Sequence, residues 1–141
     1  LMKVKYLNLI LLFLPMLIFN QCKAQSDTID NQSKSTIEVR NDIAINLSES
    51  KFELEKMYRE TIEFLDSVGT SDSNNYKIYL TQSQNGWKQY CEGKCKISEY
   101  QSRDGAQGGL AFYNLCMTEF NEKRTKELKN LLTELKSEFD N

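Results

Sequence analysis

The sequence contains no histidine, and this absence bears first on the chemistry that the protein can perform. Histidine is the commonest general base at neutral pH and the commonest metal ligand in proteins. A serine nucleophile would therefore lack its usual partner, and no glycine motif that cradles phosphate is present. The many acidic residues alternate with lysines, as on the solvated faces of helices. We expect a protein that is not an enzyme and that uses no metal or other cofactor.

Strand patterns are also missing, and the single proline, Pro15, lies in an apolar N-terminal segment. Apolar residues recur instead at helical spacing in three segments, 49–68, 74–98 and 110–137. Ser48 is the expected N-cap of the first helix, and Gly69 suits its C-terminal end. The pattern predicts an all-α fold, a small antiparallel bundle of three helices.

The N-terminal segment has the composition of a secretory signal. Lys3 and Lys5 precede an apolar run over residues 7–19, which is shorter than the roughly 20 residues of a membrane-spanning helix. Cleavage after Ala24 is the favoured prediction and gives a soluble product. The alternative is lipid modification of Cys22, which would make an N-terminal lipid the only attachment to a membrane. We expect an exported protein of the periplasm or cell envelope.

Basic residues do not outnumber acidic residues in the part of the chain that is predicted to be exported. Removing residues 1–24 takes away three lysines and leaves 15 basic against 20 acidic residues. This balance argues against nucleic acid, which is bound through clustered lysine and arginine, and suits a basic protein partner. Residues 25–46 are polar and lack a sustained helical period, so they are predicted to be a flexible linker, with a short ordered piece over residues 37–45 as the alternative. Residues 47–141 are then the folded domain.

Three cysteines remain after residue 24, namely Cys91, Cys95 and Cys116. An exported domain of this size gains stability from a disulfide. A Cys95–Cys116 bridge closes a loop of about 20 residues and contributes ~3 kcal/mol in the chain-entropy model. A Cys91–Cys116 bridge, one helical turn back, is the competing pairing. Either one staples the second helix to the third beside the loop 99–109.

A longer pattern resembles a known family. It consists of Trp87-x-x-Tyr90-x-x-x-x-Cys95, a Gly-Gly loop, Cys116, and Arg124-x-x-Glu127-Leu128. The pattern is similar to that of the LprI-like proteins of the bacterial envelope, whose named member is a lysozyme inhibitor. The resemblance covers about residues 46–132 and implies that Cys95 pairs with Cys116. The chain departs from the family at four positions, where Arg, Asp, Ser and Thr are usual: Cys91, Glu92, Leu110 and Asn121.

The resemblance implies that a lysozyme is the protein partner and that its cleft is bound and blocked. A lysozyme cleft works with two carboxylates, so a cationic side chain placed beside them would obstruct it. The candidate is the stapled loop, with Arg103 as the probing residue. The other predicted loop residues are Asp104, Gly105, Gly108 and Gly109. The predicted structural anchors are Trp87, Tyr90, Arg124 and Leu128.

The alternative hypothesis is a non-enzymatic module of the same fold that binds another envelope protein or has a structural role. Such a module would expose an aromatic patch formed by Tyr100, Phe112 and Tyr113. Burial of all three side chains would remove the reason for this alternative.

Overall fold

The computed structural model describes residues 34–140, which fold into three long α-helices. They are α1 (Thr36–Val68), α2 (Ser71–Gln101) and α3 (Gly109–Phe139). Successive helices are antiparallel, so α1 and α3 run in the same direction. The predicted all-α bundle, with a disulfide between its second and third helices, is confirmed. The predicted signal segment and Cys22 lie outside the described residues.

Helix α1 begins at Thr36 and not at residue 49, so residues 36–46 of the predicted linker are helical and include the alternative ordered piece 37–45. The start is set by a capping box. The Ser35 hydroxyl accepts a hydrogen bond from the Glu38 backbone N–H at 3.3 Å, and the Glu38 carboxylate accepts one from the Ser35 N–H at 2.6 Å. The latter bond lowers the pKa of Glu38. Ile43, one of the isolated apolar residues of this stretch, is buried and helps to hold the added turns against the bundle.

The turn between α1 and α2 is short because both helix ends are capped within it. Gly69 has a φ of 68°, as predicted for a residue that ends a helix, and its N–H donates to the Leu65 carbonyl. Thr70 then caps α2 through reciprocal hydrogen bonds with Ser73. The predicted helices 74–98 and 110–137 are each extended by one to three residues at either end.

A leucine core joins all three helices near this turn. Its members are Leu54, Leu65, Leu80, Leu128 and Leu135. Helix α3 is the central element, since α1 and α2 each pack more extensively on α3 than on each other. Over part of their length α1 and α2 therefore diverge and leave a groove whose floor is α3. None of these three helices carries an apolar stretch long enough to cross a bilayer.

Candidate functional site: the loop end and the interhelical groove

The end of the bundle that carries the α2–α3 loop is stapled by a disulfide between Cys95 and Cys116, whose Cα atoms lie 5.5 Å apart. This is the pairing that the family resemblance implied. The competing residue, Cys91, is a fully buried thiol. Burial raises the pKa of Cys91 to about 11, so the thiol stays protonated and unreactive at neutral pH.

The first residue of α3, Gly109, lies directly against the last turns of α2. A Cβ atom at this position would stand 2.4 Å from the Glu99 carbonyl oxygen, much closer than any van der Waals contact. Gly108 has a φ of 76°, a left-handed conformation that favours glycine. Gly105 does not have a positive φ. Two of the three predicted loop glycines therefore fix the shape of the loop.

Arg103 folds back over the end of α2. Its guanidinium carbon lies 4.2 Å from the centroid of the Tyr100 ring, and its Nη1 donates to the Tyr100 carbonyl at 2.8 Å. Asp104 lies 3.6 Å from the Arg103 Nε. The Arg103 side chain is still 53% exposed. The structure thus holds one solvent-facing cation against an aromatic ring at the loop end.

A second arginine, Arg40 of α1, also contacts the loop and was not predicted. Its Nη2 donates to the Ala106 carbonyl at 3.0 Å. The same nitrogen lies 3.7 Å from the place a Cβ of Gly108 would occupy. The contact was missed because residues 25–46 were assigned to a linker. The signal that could have revealed it is the Ser35-x-x-Glu38 capping box.

The predicted aromatic patch is only partly exposed. Tyr100 and Phe112 face solvent, and Leu110 near them is also exposed. Tyr113 is half-buried. Its pKa is raised, first by burial and then by the charges of Glu92 and Glu99. Two of the three side chains on which the alternative hypothesis rests, Tyr100 and Phe112, are therefore exposed as it requires.

The four predicted anchors differ in position. Leu128 is a core residue, and Trp87 packs partly buried against the core. Arg124 bridges α3 to α2, because it donates to the Gln84 Oε1 at 3.0 Å as well as to two other side chains. Tyr90 is 62% exposed and is not a core anchor. It meets the ring of Phe120 on α3 edge-on, with ring centroids 5.8 Å apart.

The groove between α1 and α2 has a volume of about 390 Å³. Its floor on α3 is formed by Tyr113, Met117 and Asn121. The α1 wall comprises Leu47, Lys51, Leu54, Glu55 and Tyr58, and the α2 wall comprises Gln84, Trp87, Lys88 and Glu92. Neither the groove nor its lining was predicted from the sequence.

Fold and site together define a small, disulfide-stapled helical bundle that presents a loop of fixed shape at one end and an open groove along its side. The family model described as lysozyme inhibitor LprI matches residues 28–128, and the chain belongs to this family. No curated protein and no solved structure matches the chain.

Proposed function

We propose that the protein binds a lysozyme in the bacterial envelope and blocks its active-site cleft with the α2–α3 loop end. Membership of the lysozyme inhibitor LprI family is the observation that carries the proposal. The charge balance of the chain supports it, since an acidic inhibitor is steered toward a basic enzyme and associates faster with it.

The geometry of the loop end suits insertion into a cleft that contains two carboxylates. Arg103 supplies a cation of permanent charge, and stacking on Tyr100 limits its conformational freedom before binding. The disulfide, the close approach at Gly109 and the Arg40 contact hold the surrounding backbone. A pre-organised loop loses little conformational entropy on binding, which favours affinity.

The test is a titration of cell-wall lysis by a c-type lysozyme with the oxidised protein. We expect loss of lysis near one equivalent. Arg103→Ala removes a charge-assisted interaction of about 1.5–3 kcal/mol, which corresponds to an inhibition constant weaker by roughly 10- to 100-fold. The matched control is Arg59→Ala, because Arg59 is a similarly exposed arginine of α1 that pairs with Glu63 and lies away from the loop.

Asp104 provides a second variant with the opposite expected sign. Its carboxylate competes for the Arg103 guanidinium and would face the carboxylates of the cleft. Asp104→Asn should therefore tighten inhibition. An inhibition constant that neither Arg103→Ala nor Asp104→Asn changes would refute the role of the loop, even where inhibition itself occurs. Full lysis at a large excess of protein would refute inhibition of that lysozyme.

The exposed apolar side chains at the same end favour one alternative function, a non-enzymatic module that binds another envelope protein. Tyr100, Leu110 and Phe112 would form the contact surface. This alternative predicts full lysis in the titration, together with an envelope protein that co-purifies with the wild type and is lost from the Phe112→Ser variant.

A further inference from the structure

The groove between α1 and α2 has the features of a formed ligand site. Its volume of about 390 Å³ lies within the range of small-molecule sites. Half of its lining is aromatic or apolar, and the other half consists of charged and amide side chains. Trp87 contributes to both the groove and the core, so part of this ring is left open to the groove.

Hydrogen bonds between helices hold the groove open in a defined shape. Asn121 on the floor donates to Ser50 of α1 at 3.1 Å, and Arg124 of α3 donates to Gln84 of α2 at 3.0 Å. These bonds fix each wall to the floor. The Tyr58 and Thr81 hydroxyl groups, 3.3 Å apart, join the two walls to each other.

Two buried amides in the groove each keep one unpaired polar atom. The Ser50 hydroxyl donates to the Leu47 carbonyl, so it accepts from the Asn121 Nδ2 and leaves the Asn121 Oδ1 unpaired. The Gln84 Oε1 accepts from Arg124, so the Gln84 Nε2 is the unpaired atom. Both residues are 4% exposed and line the groove, and the two unpaired atoms are not buried, so they are open to a ligand there. The groove thus offers one acceptor and one donor.

The rim carries charge of both signs without a surplus of either. Lys51 and Glu55 stand on the α1 side, and Lys88 and Glu92 on the α2 side. Lys51 reaches Glu55 of its own helix at 3.9 Å, and within residues 34–140 no ion pair links the two rims. A rim with equal numbers of donors and acceptors and no net charge favours a neutral, hydroxyl-rich ligand over an anion or a cation.

We propose that this groove binds a short glycan of N-acetylated amino sugars. An acetamido group carries one N–H donor and one carbonyl acceptor, which match the unpaired Asn121 Oδ1 and Gln84 Nε2. The apolar face of a sugar ring suits the aromatic surface of Trp87, and its hydroxyl groups suit the charged rim. The site is separate from the loop end, and the proposal does not depend on lysozyme inhibition.

The test uses the intrinsic fluorescence of the exported, oxidised protein, because Trp87 is its only tryptophan. Chitotriose is compared with cellotriose, which has the same backbone but a hydroxyl group in place of each acetamido group. We expect a saturable change in Trp87 emission with chitotriose and at least tenfold weaker binding of cellotriose. Equal binding of the two sugars, or no saturable change with chitotriose, would overturn the proposal.

Variants locate the site. Asn121→Thr removes the amide acceptor together with the bond to Ser50, so circular dichroism and thermal denaturation are used to verify that this variant folds. Lys88→Ala removes a rim donor at an exposed position. Both should weaken chitotriose binding, by about tenfold for Asn121→Thr, whereas Tyr79→Ala on the exposed part of α2 should not. Unchanged binding in both groove variants would refute the assignment. Arg103→Ala should bind chitotriose normally, which separates this result from the lysis titration.

Discussion

Helix α3 approaches α2 closely at Gly109, so one methyl group added at this position should destabilise the protein. In Gly109→Ala the new Cβ would lie 2.4 Å from the Glu99 carbonyl oxygen and 3.1 Å from the Glu99 Cγ. The backbone of α2 must shift, and the Cys95–Cys116 disulfide a few residues away opposes the shift. Overpacking of this kind costs about 1–3 kcal/mol. For a domain of this size the melting temperature should fall by roughly 5–20 °C.

Gly93→Ala is the matched control for this substitution. Gly93 lies inside α2, and a Cβ there would meet no atom within 4 Å. Alanine should therefore stabilise the helix by about 0.5–1 kcal/mol. Both variants are measured by thermal and urea denaturation of the oxidised protein, followed by circular dichroism at a helical wavelength. A Gly109→Ala protein that melts at or above the wild-type temperature would refute the close approach of the two helices.

Three further predictions concern stability and thiol chemistry. Replacing both Cys95 and Cys116 by serine should lower the free energy of unfolding by about 3 kcal/mol, and an unchanged urea midpoint would contradict this. Arg124→Ala removes the donor to the buried Gln84 Oε1 and should cost about 1–3 kcal/mol, part of which Arg124→Lys restores; two variants of wild-type stability would argue against this bridge. The folded protein holds the proton of Cys91 more tightly than the unfolded chain, since its pKa is raised from 9.0 to about 11. The resulting stability is present below pH 9 and is lost as the pH rises toward 11. Iodoacetamide at pH 8 should therefore label Cys91 only after unfolding, and rapid labelling of the native protein would contradict its burial.

Helices α2 and α3 could be predicted almost to their ends because their signals are local. Apolar side chains recur at helical spacing, and polar residues fill the loop between them. The first half of α1 could not be found in this way. The residues that hold it to the bundle, such as the buried Ile43 and Arg40, which bonds to a loop more than 60 residues away in sequence, do not form a helical period. Only the capping box at Ser35 marks this start locally.

The candidate site was predicted in part. The position of Arg103 in a stapled loop followed from the sequence and the family resemblance, but its stacking on Tyr100 depends on where α2 ends. Tyr90 was predicted to be a structural anchor, whereas its side chain is exposed and the neighbouring Cys91 is buried. The groove depends on how far apart α1 and α2 lie. This is a tertiary property, and the spacing of apolar residues within one helix does not predict it.

Helices α1 and α2 diverge because the chemical type of the buried side chains changes along the bundle. Near the α1–α2 turn, leucines from all three helices meet and draw them together. Farther along, the buried positions are taken by Ser50, Gln84 and Asn121. These polar side chains bridge each outer helix to α3, so they hold the outer helices on the central one without bringing them to each other. Beyond them, the disulfide closes α2 onto α3 at the loop. The leucine end therefore holds the apolar core, and the exposed side chains of the groove rim and of the loop end can be changed without disturbing it. Substitutions that alter binding at Arg103 or Lys88 should leave the melting temperature nearly unchanged, because neither side chain contributes to the leucine core.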